Sequence, residues 1–322
     1  MRAAWYERTG PAREVLQLGT LPDPVAGPGE VLVRIRASGV NPHDTKRRAG
    51  WRGMAGPARR SVPHGDGAGE VVAVGEGVSR DRLGERVWLW NAPGTAAELC
   101  ALPAEQAVPL PAEADFAAGA CLGVPACTAH DAVFADGPVA GMCVLVHGAA
   151  GAVGEPALRF AARAGARVLA TASTPDKAAV AREAGAAAVF NYRDPDCAQQ
   201  VLAATGGRGV DRIIEVDLGA NLALDVAIVA NNGSIASYSS TRVPEPVLPY
   251  YPLAYKGVAL RLVQGMILPP ARRTAAAEAI AVGLRDGWLA PRIGARFPLA
   301  EIAAAHEALE GGRQIGNVVV EV

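Results

Sequence analysis

Residues 144–154 read VLVHGAAGAVG, an apolar run followed by glycines at 148, 151 and 154. The run has the length and composition of a buried strand. The next stretch, VGEPALRFAARAG (153–165), places Val153, Ala157, Phe160, Ala161 and Ala164 on one helical face before Gly165 stops it. A glycine loop between a strand and a helix favours a phosphate, because the first helical turn offers unpaired N–H groups and a partial positive charge. Gly148 opens the loop, Gly151 lets the backbone approach a ligand across Ala152 and Val153, and Gly154 lets helix and strand pack closely. Ala149 takes the first glycine position of the common G-x-G-x-x-G pattern, so the loop is an AxxGxxG variant. Glu155 would repel a phosphate that it faced and is expected to turn away. Pro156 lies near the limit of the first turn, where a missing N–H is tolerated.

The surrounding rhythm agrees with this context. ARVLATA (166–172), AAVFN (187–191), VDRIIEV (210–216) and GSIASYS (233–239) have strand composition. They alternate with helical stretches at 175–185, near 195–204 and at 221–230, through short connections. Such alternation predicts an α/β domain with a doubly wound parallel sheet covered on both faces. The first 120 residues differ: EVLVRIRASGV (30–40), GEVVAVGEGV (69–78) and RVWLW (86–90) are strands separated by Gly- and Pro-rich turns, which predicts a mainly antiparallel β domain. After about residue 270 come two helical stretches (TAAAEAIAVGLRDG and PLAEIAAAHEALEGG) and a terminal strand, NVVVEV.

The length of 322 residues suggests two domains. A net charge of −1 disfavours nucleic-acid binding through bulk charge. There is no apolar run long enough for a membrane span and no secretion-signal core at the N-terminus. Cys100, Cys121, Cys127, Cys143 and Cys197 are odd in number, widely spaced and free of CxxC pairs, so neither a disulfide framework nor a zinc ribbon is suggested. The expectation is a reduced, cytoplasmic chain. Lysine is scarce: Lys46, Lys177 and Lys256 stand against 28 arginines.

The second strand of the α/β region decides which cofactor fits. An acid at its end would hold a ribose 2′-OH and favour NAD. The residues there are Thr171, Ala172, Ser173 and Thr174, with no acid. Ser173 offers a hydrogen bond, and Lys177 lies in the first turn of the next helix, where a cation opposes the dipole unless an anion is present. A 2′-phosphate fits both residues, so the expected cofactor is NADPH.

Together, SGVNPHDTKRRAG (38–50), GDGAGEVVAVGEGV (65–78), PLPAEADFAAGACLGVPACTAH (109–130), VLVHGAAGAVG, VFNYRD (189–194) and FPLAEIAAAHEALEGGRQIGNVVV (297–320) make the chain resemble, over essentially its full length, the zinc-free medium-chain dehydrogenase/reductases of the quinone oxidoreductase group, which includes zeta-crystallin. The resemblance implies a GroES-like catalytic domain (1–122), a Rossmann NADPH-binding domain (123–264), a C-terminal segment (265–322) returning to the first domain, and an active-site cleft. It implies that Asn41 and Thr128 line the nicotinamide end in a catalytic role, and that Ser173, Lys177 and Tyr192 hold the 2′-phosphate. It also puts Arg313 and Asn317 on the segment running past the cofactor, and implies a homodimer joined along the Rossmann sheet edge at VALRLV (258–263). Three positions depart from the pattern: Lys46 replaces a frequent aromatic, Tyr238 a frequent glycine bordering the cofactor site, and Asn317 a frequent lysine.

No metal is expected. Asn41 lies where zinc relatives carry a nearby cysteine, and His43, His64 and Asp66 follow no zinc-ligand spacing. Quinone reduction needs no metal: positioning of donor and acceptor suffices, with a hydrogen-bond donor such as Asn41 at the carbonyl. The expected partner is therefore a small electrophilic acceptor, a quinone or an activated alkene. Reduction of enoyl or alkenal double bonds and a non-catalytic NADPH-binding role are the alternatives. Segment 45–63 carries Lys46, Arg47, Arg48, Arg52, Arg59 and Arg60 without an acid; it reads either as a solvated mobile loop or as a charged rim for an anionic acceptor.

Overall fold

The computed structural model describes every residue of the chain except 55 and 58. It comprises two compact units, Ala126–Ala276 and Met1–Pro125 with Ala277–Val322; the sequence expectation set these limits at 122 and 264. No described helix is long and apolar enough to cross a membrane.

The unit Ala126–Ala276 is built on a six-stranded parallel sheet. In sequence order the strands are Cys143–Val146, Arg167–Ala172, Ala188–Asn191, Val210–Glu215, Val229–Ser237 and Ala259–Leu262, and their order in space is third, second, first, fourth, fifth, sixth. Every pairing is parallel. All four residues of Cys143–Val146 are buried, as a central strand covered on both faces requires. Leu145, Leu169, Ile213 and Ile235 join the core with Val201, Leu222 and Ile228 from helices packed on the sheet. The chain reverses its winding between Cys143–Val146 and Val210–Glu215. Ligands of such sheets bind beyond the strand C-termini at this point, where residues 147–154 lie. Lys256 is accounted for here: its ammonium donates to the carbonyls of Val226, Ala227 and Val229 at 2.7–3.2 Å and completes the C-terminal end of helix Leu218–Ile228.

The other unit is mainly antiparallel. Its long strand Glu30–Val40 pairs with Asp66–Val74, with Leu99–Pro103 and with the terminal strand Asn317–Glu321. The C-terminal segment is thus woven into this sheet. One expectation is corrected: residues 45–49, the start of the 45–63 segment read as a solvated loop, belong to a helix, Pro42–Ala49. Asn41 caps it, Asp44 returns a hydrogen bond to the Asn41 N–H at 2.8 Å, Pro42 opens it, and Gly50 ends it at φ 72°. Lys46, Arg47 and Arg48 fall in the last turn, where cations suit the helix dipole.

A polar chain crosses this unit's interior. Thr95 Oγ1 donates to the Asp66 carbonyl at 2.6 Å, so the Ser38 hydroxyl must donate to Thr95 at 2.7 Å. Ser38 then accepts from His64 Nδ1 at 2.8 Å, and His64 Nε2 accepts from His306 Nε2 at 2.9 Å. The order of donors fixes both tautomers, places the His306 Nε2 proton between the rings and leaves no room for a second one. Burial keeps both imidazoles neutral, with His306 pushed down to about 3 and further disfavoured by Arg48. His64 adopts φ 72°, a conformation its ring contacts have to hold.

Because the folded pKa lies below the ordinary value of about 6.5, the unfolded chain binds more protons and stability falls with pH below 6.5. His306→Gln removes one titrating ring. The slope of unfolding free energy between pH 6.5 and 4.5 should therefore be shallower than in the wild type by about 1.4 kcal/mol per pH unit, measured by denaturant titration at stepped pH.

Candidate functional site

The glycine loop is shaped by a steric limit. Gly148 turns at φ 63°. A Cβ at Gly154 would lie 2.2 Å from the Gly148 carbonyl oxygen, and one at Gly151 3.2 Å from the same atom. Only glycine permits the start of helix Gly154–Arg163 to approach the loop this closely. Glu155 is buried and its carboxylate pairs with Arg159 one turn on, at 2.8 Å, so it is committed to a neighbour on its own helix.

At the end of the adjacent strand Arg167–Ala172, Thr174 caps the next helix by accepting the Lys177 N–H at 3.3 Å. Ser173 hydrogen-bonds the Tyr192 phenol. Burial works to raise that phenol, but Ser173 and the charges of Arg193 and Arg242 outweigh it, and it lies below its ordinary value. The Arg193 guanidinium sits 5.9 Å from the Tyr192 ring centre. Ser173 and Tyr192, expected to act together, are brought together. The sequence reading missed Arg193 and Arg242: Arg193 adjoins Tyr192 in the chain and was legible, whereas Arg242 comes from a distant segment. This hydroxyl pair in a field of cations fits a phosphate monoester, and the loop's close backbone fits a pyrophosphate.

A buried polar triad lies at the loop's base. His147 Nδ1 meets Thr171 Oγ1 at 2.8 Å, and its Nε2 meets Asp225 at 2.9 Å and Glu215 at 3.5 Å. Glu215 Oε1 also accepts from the Asp217 N–H and from Asn221. Burial raises both carboxyls to about 7. Glu215 Oε2 and Asp225 Oδ2 have no hydrogen-bond partner of their own, an arrangement that a shared proton relieves. Tyr238, half-buried after strand Val229–Ser237, donates its N–H to the Glu215 carbonyl at 3.1 Å, and burial with the nearby Glu215 charge raises its phenol.

In the antiparallel unit, Asn41 Nδ2 donates to Asp66 Oδ2 at 2.8 Å, and Asp66 also receives the Val124 N–H at 2.9 Å. Asp66 is fully buried. Burial raises it to about 8 against those hydrogen bonds, and raises Asp44 to about 7. Asn41 is thus held between two carboxyls that retain protons near neutrality, a feature invisible in the sequence. Asn317 donates its side-chain amide to the Arg292 carbonyl at 3.0 Å. Thr128 is buried in helix Cys127–Phe134, directly after a π-helical turn, Leu122–Ala126, a distortion frequent at functional sites.

His64 and Asp66 offer no free ligand atom to a zinc ion. Both His64 ring nitrogens and both Asp66 oxygens already have partners. All five cysteines are buried, and burial raises the thiols of Cys100, Cys121, Cys143 and Cys197, opposing the thiolate a metal requires. The cations of segment 45–63 are largely committed as well. Arg48 is buried against Glu310 and the Gly10 carbonyl, Arg60 pairs with Glu7, and Lys46 and Arg52 lie over Trp51 at 4.7 and 5.8 Å.

Two family profiles match the chain: "Alcohol dehydrogenase GroES-like domain" over residues 27–112 and "Zinc-binding dehydrogenase" over 152–280. The chain is 32% identical to the quinone oxidoreductase of Homo sapiens over 98% of its own length and 95% of the relative's. It is 30% identical to a 2-haloacrylate reductase of Burkholderia sp., covering 99% and 98%. Among solved structures it resembles a mycobacterial protein complexed with NADPH, at a TM-score of 0.88 and 29% identity over the whole of both chains.

Gly154→Ala should cost about 1–3 kcal/mol of stability, typical of overpacking, with a smaller loss for Gly151→Ala. Urea unfolding of the two variants checks the order.

Proposed function

This chain belongs to the quinone oxidoreductase group of the medium-chain dehydrogenase/reductase family, and we propose that it is an NADPH-dependent, zinc-independent enzyme reducing quinones or similar electrophilic carbonyl compounds. The observation that carries the reading is the Ser173–Tyr192 pair set among cations one strand away from the glycine loop. Gly148, Gly151, Ala152, Val153 and Gly154 hold the pyrophosphate, and Ser173, Lys177 and Tyr192 the 2′-phosphate. Thr128, Tyr238 and Asn317 are assigned to the remaining cofactor contacts.

When bound, NADPH supplies the hydride. The protein's part is to orient and to stabilise charge. Asp66 occupies one Asn41 amide hydrogen and so directs the group, whose second N–H serves the oxygen that gains negative charge. An Asp66 that keeps its proton steadies Asn41 without setting a full negative charge beside that oxygen. The 2-haloacrylate reductase relative favours a second reading, in which the acceptor is the carbon of an activated alkene.

Purified protein should oxidise NADPH in preference to NADH with 9,10-phenanthrenequinone or 1,4-benzoquinone. Turnover with crotonyl-CoA alone would select the second reading, and no turnover with any acceptor would defeat both. Lys177→Ala should weaken NADPH binding by about 1–3 kcal/mol, as loss of a charge-assisted contact does, and leave NADH binding nearly unchanged in fluorescence titrations.

We also propose a homodimer. Strand Ala259–Leu262 ends the parallel sheet, and Leu262 is 76% exposed on it. An unpaired edge with exposed apolar side chains is a template for a second copy. Leu262→Lys should shift the sedimentation coefficient from that of a dimer to that of a monomer.

A further inference from the structure

Arg242 follows strand Val229–Ser237 in a segment strapped to the start of helix Leu218–Ile228. The Leu218 N–H donates to the Ser239 carbonyl at 3.0 Å, the Gly219 N–H donates to Ser240 Oγ at 3.0 Å, and a Cβ at Gly219 would lie 2.3 Å from the Val243 carbonyl. The backbone of Arg242 is therefore fixed, although its side chain is 62% exposed. Asp217, only 8% exposed, accepts the Arg242 backbone N–H at 3.2 Å and its Nε–H at 2.7 Å. That leaves the two Nη groups, for which no acceptor is present among the described residues. The guanidinium is also close enough to Tyr192 for its charge to help lower the phenol from its ordinary value.

We propose that Arg242 is a further cation of the 2′-phosphate pocket and that Asp217, by orienting and partly neutralising it, sets how strongly the protein distinguishes a phosphorylated from an unphosphorylated cofactor. The inference rests on the NADPH reading above. A phosphate monoester carries close to two negative charges near neutrality and pairs with the fork of an arginine through two parallel hydrogen bonds. Asp217 engages only Nε, so the Nη donors remain for the phosphate while Nε stays anchored. An ion pair this exposed is weak and does not bar the exchange of partners. The carboxylate nevertheless repels the incoming dianion. The two residues therefore act in opposite directions on the same ligand group: Arg242 attracts the 2′-phosphate, and Asp217 tempers that attraction.

The probes are 2′,5′-ADP and 5′-AMP, which differ only by the 2′-phosphate, measured by isothermal titration calorimetry without any turnover. Arg242→Gln should weaken 2′,5′-ADP about tenfold, the scale of one charged hydrogen bond, and leave 5′-AMP within twofold, which also reports an intact fold. Asp217→Asn keeps an acceptor for Nε but removes the charge, and should strengthen 2′,5′-ADP several-fold without affecting 5′-AMP. Equal effects on the two probes, no effect of Arg242→Gln, or a weaker 2′,5′-ADP complex in Asp217→Asn would overturn the inference. A wild type that prefers 2′,5′-ADP and loses that preference in Lys177→Ala but not in Arg242→Gln would sink this proposal alone. A wild type that binds both probes equally would sink the NADPH reading with it.

Discussion

At Gly154 the first turn of a helix meets the Gly148 carbonyl so closely that no side chain fits between them. That contact sets the position of helix Gly154–Arg163 on the sheet, and with it the direction of the helix N-terminus. Arg159 lies one turn along the same helix and takes up the Glu155 carboxylate, which leaves the loop's partial positive charge for a ligand. His147, immediately before the loop, is tied to Thr171 on the next strand and to Asp225 on a helix. The loop is thus held by sterics on one side and by a polar triad on the other, and the Ser173–Tyr192 pair lies one strand away.

The two units bury polar groups by different means. In the antiparallel unit a one-way hydrogen-bond chain runs from His306 to the Asp66 carbonyl, and neutrality of both rings is the condition for its existence. In the parallel unit, Glu215 and Asp225 are brought together with one unpaired oxygen each, and burial keeps a proton on the pair. Buried ionisable groups are costly unless paired or neutralised. Here the folded chain neutralises them, and Asp66 does the same beside Asn41. The result is an Asn41 side chain steadied by an acid that burial keeps neutral.

Much of this was legible in residue order. Glycine spacing, strand–helix alternation and the missing acid after Ala172 pointed to the sheet, the loop and NADPH. The helix Pro42–Ala49 was legible too, since Asn41, Pro42, Asp44 and Gly50 are cap and stop signals, but its run of cations read as a loop. Arg242, Asp217 and the Asp66 beside Asn41 were not legible. Their roles arise from contacts between residues 25 positions apart, as for Asp217 and Arg242 or Asn41 and Asp66, and no local pattern records such distances.

The sequence by itself determined the fold class and the kind of ligand, because both follow from local requirements: apolar period, glycine where a Cβ cannot fit, and the residue type at a strand end. Tertiary structure alone decided which charges remain available. Arg48 disappears into the interior, Lys256 caps a helix, and Arg242 keeps free donors beside Tyr192. The three have the same charge. Burial and the nearest acceptor, which chain topology sets, give them different work.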